Sequence, residues 1–171
     1  GSYITYKGRK FEIMSEVYPD FDNKTVEKYI DLLEKCYVIF RLNAFNRNLR
    51  TELKKSKKIY FYDNGIRNAV IQNFAPLSLR QDTGALWENF FISERIKANH
   101  YNGNYAKSFF WRTTQQQEID YIEEADGNFT AFEMKWNPNK RPITFPSPFL
   151  NNYPVKETVV ITPENYLEWV M

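Results

Sequence analysis

The chain has 171 residues, 43% hydrophobic and 18% aromatic, with 23 Lys plus Arg against 21 Asp plus Glu. That composition supplies one good core, argues against disorder over most of the length, and leaves a formal net charge of +2, too small to announce a nucleic-acid partner. Cys36 is the only cysteine, which excludes an internal disulfide framework and a multi-cysteine zinc site. No run of about 20 apolar residues is available to span a bilayer and no signal peptide is visible, so a cytoplasmic protein with no membrane partner is expected. Gly1-Ser2 reads as a cloning scar and Tyr3 follows without Met, so a piece of a longer protein is also expected.

The first strong element is a helix. Asp22 or Asn23 can cap it, and Val26, Tyr29, Ile30 and Leu33 recur at i, i+3, i+4 and i+7. Tyr37 to Phe40 and Lys58 to Tyr62 are aromatic and β-branched runs suited to strands, with Cys36 read as a small core residue beside the first. Helix followed by two strands outlines a partial winged helix over residues 3–80. The connection between the strands, 41–58, holds Arg41, Arg47, Arg50, Lys54, Lys55, Lys57 and Lys58 against Glu52 alone. Such a patch is suited to neutralising the phosphates of DNA, or is simply a solvated loop balanced by acids elsewhere.

Residues 81–171 read as a second domain. A helix is expected from Asp82 to His100, with Leu86, Trp87, Phe90, Phe91, Ile92 and Ile96 as its apolar positions. Strands follow at 108–112, 117–122 and 130–136, the last two joined by the turn signal Asp126-Gly127-Asn128. A Pro-rich connection leads to a short helix near Phe149 to Tyr153 and a strand at 158–162, and Pro163 opens a last helix. The order helix, three strands, helix, strand predicts an α/β fold with a mixed sheet covered on both faces.

Within it, Glu118 and Asp120 share one face of a strand, with Ile119 and Tyr121 opposite. Glu133 and Lys135 share a face of the next strand, opposite Phe132 and Met134. Neighbouring strands lie about 4.8 Å apart, which brings Asp120 towards Glu133 and Lys135. Two hard carboxylates with open positions suit Mg²⁺ or Mn²⁺, and an adjacent lysine can orient the attacking water in phosphodiester hydrolysis. Glu88 on the preceding helix is a candidate further ligand. The same residues equally make an ion-pair network without metal. His100, the sole histidine, sits at a helix end and suits a surface or helix-dipole contact rather than a general base, so Ser, Cys and Lys nucleophile schemes lack a ready base. The aromatics Tyr60 to Tyr62 and Phe109 to Trp111 suit a core more than base stacking.

Glu88, Asp120 and Glu133-Met134-Lys135, in that order of elements, resemble the PD-(D/E)XK nuclease superfamily and its αβββαβ core. The blocks NKTVEKYIDLLEKCYVIFRL, KIYFYDNGIRNAV, GALWENFFISER, FFWRTTQQQEIDYI, AFEMKW and ITPENYLEWV resemble the uncharacterised C-terminal domain of a group of prokaryotic AAA+ ATPases. The first resemblance implies Asp120 and Glu133 as metal ligands, Glu88 as an auxiliary one and Lys135 as the residue assisting water. It departs from the pattern in that no Pro-Asp pair precedes the site. The second implies an upstream ATPase domain, since no Walker A motif occurs here. The function expected is a nucleic-acid-binding, nuclease-like module of an AAA+ ATPase. The alternative is a non-catalytic regulatory or oligomerisation domain, which includes the possibility of a homo-oligomer.

Overall fold

Alternation of buried residues decides the first long strand: Phe40, Leu42 and Ala44 are buried while Arg41 and Asn43 are not. The strand therefore runs to Ala44, four residues into the stretch read from sequence as a polar connection. The computed structural model describes residues 5–6, 9–10, 23–47, 52, 56–137 and 143–171. Its strands are β1 (Thr5–Tyr6), β2 (Arg9–Lys10), β3 (Ile39–Ala44), β4 (Lys57–Phe61), β5 (Lys107–Arg112), β6 (Glu118–Ala125), β7 (Asn128–Met134) and β8 (Val155–Ile161). Its helices are α1 (Asn23–Lys35), α2 (Asn64–Val70), α3 (Thr83–Tyr101), α4 (Ser147–Asn152) and α5 (Leu167–Val170).

Apart from the β1–β2 pair, the strands form one six-stranded mixed sheet in the order β4-β3-β5-β6-β7-β8. The winged-helix outline therefore has its helix and its antiparallel β3–β4 pair, but that pair is not a separate wing. β3 pairs in parallel with β5 through Asn43 and Ala44, so both halves of the sequence share one sheet. The remainder follows the expected order, with α3, the β5-β6-β7 meander, α4, and β8 parallel to β7.

One apolar layer lies under α3, where Phe40, Leu42, Tyr60, Trp87, Phe91, Phe110, Tyr121, Phe132 and Met134 pack together. The other lies under α4, where Phe45, Trp111, Ile119, Ile122, Phe129 and Ala131 meet Phe149 and Tyr153. The β6–β7 hairpin turns at Asp126 and Gly127, with φ of 50° and 77°, the left-handed pair that a two-residue hairpin loop requires.

Several sequence expectations are corrected. Of the apolar stripe on α1, only Ile30 is buried, whereas Tyr29 and Leu33 are exposed. The acidic stripe Glu27, Asp31 and Glu34 instead docks the helix by charge, since all three pair with Arg41 and Glu27 also pairs with Lys57. Cys36 is exposed rather than in the core. α2 had no counterpart in the sequence reading; Asp63 starts it by accepting the Ile66 N–H at 2.9 Å. Asp82 does not cap α3 through its side chain, because the carboxylate is held by the buried Arg67 and Arg80 at 2.8–3.0 Å. The last helix begins at Leu167 rather than Pro163, after turns in which Asn165 Oδ1 accepts the Thr162 N–H.

Candidate functional site

Strict alternation along β6 would put Tyr121 and Asp120 on opposite faces of the sheet. Both sit on the α3 side because of a β-bulge. Phe109 pairs with Ile122 and Trp111 with Ile119, so the single residue Phe110 of β5 faces two residues of β6, Asp120 and Tyr121. Ile119 and Ile122 keep to the α4 layer while Tyr121 joins Phe110 in the α3 layer. The extra residue re-aims Asp120, a use to which bulges are often put beside functional sites.

Asp120 thereby reaches a group centred on Lys58 of β4. The Lys58 Nζ lies 2.5 Å from Glu118 Oε1, 3.3 Å from Glu88 Oε1 and 3.8 Å from Asp120 Oδ1, above the Phe110 ring at 5.3 Å from its centroid. Tyr60, two residues along β4 on the same face, donates its hydroxyl to Glu88 Oε1 at 2.7 Å. Arg112 Nε approaches Glu118 at 3.4 Å. The β6–β7 ladder ends at Tyr121 and Phe132, and just beyond it Asp120 Oδ2 accepts the Met134 N–H at 3.3 Å. The carboxylate of Asp120 thus spans from the Lys58 ammonium to the end of β7.

Glu133 and Lys135 occupy that strand end as an ion pair of 2.5 Å. They alternate with Phe132 and Met134, which face α3, so they issue towards the other side of the sheet. Glu133 is still near enough for its charge to act on Asp120. The structure therefore gathers Glu88 and Asp120 tightly around Lys58 and sets Glu133–Lys135 beside them as a separate pair.

Electrostatics reflect this crowding. Burial and the Glu88 charge push the Asp120 carboxyl well above the usual range, Lys58 opposes, and Glu133 and Glu118 add to the rise. Burial pulls the Lys58 ammonium down, yet Glu88, Tyr60, Asp120 and Glu118 more than reverse this and hold it well above its ordinary value. Burial and the Glu88 charge likewise raise the Tyr60 hydroxyl. Lysine remains charged here, and Asp120 is left short of positive partners.

The oxygen donors are of the kind that binds Mg²⁺ or Mn²⁺. As they stand, no three acidic, histidine or cysteine side chains among the described residues are arranged to hold a metal ion. The ammonium of Lys58 lies among three of the carboxylates and offsets part of their charge.

Of the basic connection, Arg41, Lys57 and Lys58 are consumed by internal acids. Arg47 pairs with Glu124 at 3.0 Å and keeps half its side chain in solvent. Arg50, Lys54 and Lys55 lie outside the described residues. Sequence reasoning missed Lys58 as a member of the acid site, since that contact joins strands far apart in the chain. It also missed Glu52, which is buried and accepts the Trp111 indole N–H at 2.7 Å, the Tyr153 hydroxyl at 2.6 Å and the Arg47 N–H at 2.8 Å. Glu52 is the anchor of the connection.

Fold and site together define a mixed α/β protein with a lysine-centred acid cluster at the divergent end of two neighbouring strands. Residues 83–169 match the family described as Domain of unknown function (DUF4143), and the chain belongs to that family. Members of it occur as a domain in AAA-type ATPase proteins. Residues 3–77 match a second description, Domain of unknown function (DUF8612). An uncharacterised protein of Mycobacterium tuberculosis (strain ATCC 25618 / H37Rv) is 29% identical over 118 residues, covering 68% of this chain and 26% of its own length. An uncharacterised protein of Mycobacterium bovis matches to the same extent. An uncharacterised Bro-N domain-containing protein of Acanthamoeba polyphaga mimivirus is 30% identical over 103 residues, covering 59% of this chain and 49% of its own. The chain thus spans about a quarter of the length of the mycobacterial relatives. No solved structure matches it. No helix among the described residues is long and apolar enough to cross a membrane.

Proposed function

We propose that this chain is the nucleic-acid-binding, nuclease-like module of an AAA+ ATPase, with a restriction-endonuclease-like αβββαβ core. The observation that carries the reading is the approach of Asp120 to Glu88 where β6 and β7 end their ladder, with the Glu133–Lys135 pair beside them and near enough for the Glu133 charge to act on Asp120. In this reading Mg²⁺ or Mn²⁺ is the cofactor, and it supplies an activated water and a polarised phosphoryl oxygen when bound. Asp120 and Glu133, with Glu88 auxiliary, would hold it once Lys58 has moved aside. Lys135 orients the attacking water or offsets developing charge. Arg47 with Arg50, Lys54 and Lys55 forms the phosphate-binding part of the connection, the remaining cations of that stretch being neutralised by acids.

The test is a calorimetric Mn²⁺ titration of the chain beside Asp120→Ala/Glu133→Ala, followed by DNA binding across a salt series. Metal binding that disappears in the double variant, with DNA affinity falling steeply as salt rises, supports the module. No DNA binding at low salt sinks it.

A second reading, a regulatory or oligomerisation domain of the same ATPase, is favoured by one feature. Ile66, Val70, Ile71, Phe74, Leu77 and Leu79 are exposed along the segment that leads from α2 to α3. Arg67 and Arg80 fasten that segment to Asp82, so its apolar side chains are displayed on a held backbone.

A further inference from the structure

We propose that the segment between β4 and α3 is a dimer interface, its apolar face meeting the same face of a second copy of this chain about a two-fold axis. The inference rests on the second reading above and deepens it, in that it names what covers the exposed side chains of that segment.

Ile66, Val70, Ile71, Phe74, Leu77 and Leu79 are each between 41% and 75% exposed. Together they present on the order of 700 Å² of surface, more than the largest apolar patch of a typical monomer and close to one partner's share of a standard interface. The backbone beneath them is fixed in one shape. Gln72 turns the chain at the end of α2 with φ of 52°, and Asn73 Oδ1 accepts the Ala75 N–H at 3.1 Å. The Leu79 and Arg80 N–H groups donate to the Pro76 and Leu77 carbonyls. Arg80 Nη1 donates to the Asn73 carbonyl at 2.9 Å, which ties the Phe74 turn to the Leu79 end. A surface ordered before contact loses little conformational freedom on binding, and association is favoured accordingly.

Charge selects the occupant. From Asn64 to Gln81 the charged side chains are Arg67 and Arg80 alone, and both are buried against Asp82. The face therefore offers a phosphate backbone no cation, and an acidic or basic protein no counter-charge. The exposed apolar residues of α1, Tyr29, Leu32 and Leu33, lack that neutrality, since the exposed Lys24, Lys28 and Lys35 border them. Among the described residues, the surface that matches this face in chemistry and in size is the face itself. In a two-fold contact like meets like, so a neutral apolar patch pairs with its copy without opposing charges. Depletion of charge at the centre is also the composition of homodimer interfaces.

The 171-residue chain and Phe74→Ser/Leu79→Ser are compared by sedimentation velocity from about 1 to 100 µM, a range in which interfaces of this size assemble. The chain is expected to pass from monomer to dimer, and the variant to need about a hundredfold higher concentration, since each lost apolar anchor is worth about tenfold. A dimer that persists unchanged in the variant overturns this face and leaves the oligomerisation reading standing. A chain that stays monomeric throughout overturns both. A second measurement needs no substitution: hydrogen exchange of the peptides covering residues 66–79 in the unaltered chain is expected to slow severalfold between the lowest and the highest concentration. Equal exchange at the two ends overturns the proposal.

Discussion

Asp120 and Glu123 leave the same strand three residues apart and face the same helix, yet their surroundings are opposite. Glu123 is buried and fully partnered: Arg95 grips both of its oxygens at 2.8 and 2.9 Å, the Asn99 amide donates at 2.6 Å and the Tyr121 hydroxyl at 3.0 Å. Asp120 has one amide at 3.3 Å, one ammonium at 3.8 Å and three acids around it. A single stripe of α3 makes the difference. Glu88, Arg95 and Asn99 stand at i, i+7 and i+11, so the helix offers a base and an amide to Glu123 and an acid to Asp120. A carboxylate built for stability is given its partners by the fold. One that lacks them costs stability, and such groups mark candidate functional sites.

The comparison breaks most visibly at Glu123. Glu123→Gln strands the Arg95 guanidinium, which also donates to the Trp169 carbonyl and lies over the Phe132 and Trp169 rings. Breaking a buried ion pair from one side costs about 3 kcal/mol or more, so thermal denaturation should show a fall of many degrees. Asp82→Asn is the next largest effect. Hydrogen bonds from Arg80, then from Arg67, hold this carboxyl below the usual range, and losing its charge should cost about 2 kcal/mol at neutral pH. Its contribution is present above the unfolded carboxyl value of about 4 and is lost as the pH falls below it, which acid titration of stability would register.

Asp120→Asn should act in the opposite direction. Its carboxyl is raised in the folded protein, so the penalty begins near the unfolded value of about 4 and is complete once the pH exceeds the raised folded value. The variant should gain on the order of 1 kcal/mol at neutral pH and nothing at pH 4, because its amide oxygen still accepts from Met134 while the repulsion is gone. A loss at neutral pH, measured by chemical denaturation, would place Asp120 with Glu123 as a structural acid.

Much of this contrast was legible in the residues themselves. The periodicity of α3, the Asp126-Gly127 turn and the order of strands after it follow from local rules, and Glu88, Asp120, Glu133 and Lys135 were visible as acids and a lysine in apolar strands. What stayed hidden depends on contacts distant in sequence. The bulge that turns Asp120 towards α3 is a mismatch between two strands, and neither strand betrays it alone. Lys58 looked like one more cation in a basic run, since nothing local says that it crosses to β6. The same holds for Glu52, the one acid in that run, which proved to be a buried anchor. The helix α2 is a different case, because the Asp63 cap is a local signal.

The smallest expected effect tests whether the basic run keeps any role of its own. Arg47 differs from Arg41, Lys57 and Lys58 in that half of its side chain is in solvent, and its partner Glu124 lies on the α4 side of β6, away from the acid pocket. An exposed pair of this kind contributes about 0.5 kcal/mol or less, so Arg47→Ala should leave the melting temperature nearly unchanged. Each phosphate contact adds close to one unit to the slope of log affinity against log salt. If Arg47 binds phosphate, the variant's slope should therefore be smaller by about one. Arg41→Ala should do the reverse, lowering stability by unpairing Asp31 and Glu34 and leaving Glu27 to Lys57 alone, while leaving the slope intact. An unchanged slope in Arg47→Ala would remove it from the phosphate-binding group and leave the case for DNA contact to Arg50, Lys54 and Lys55.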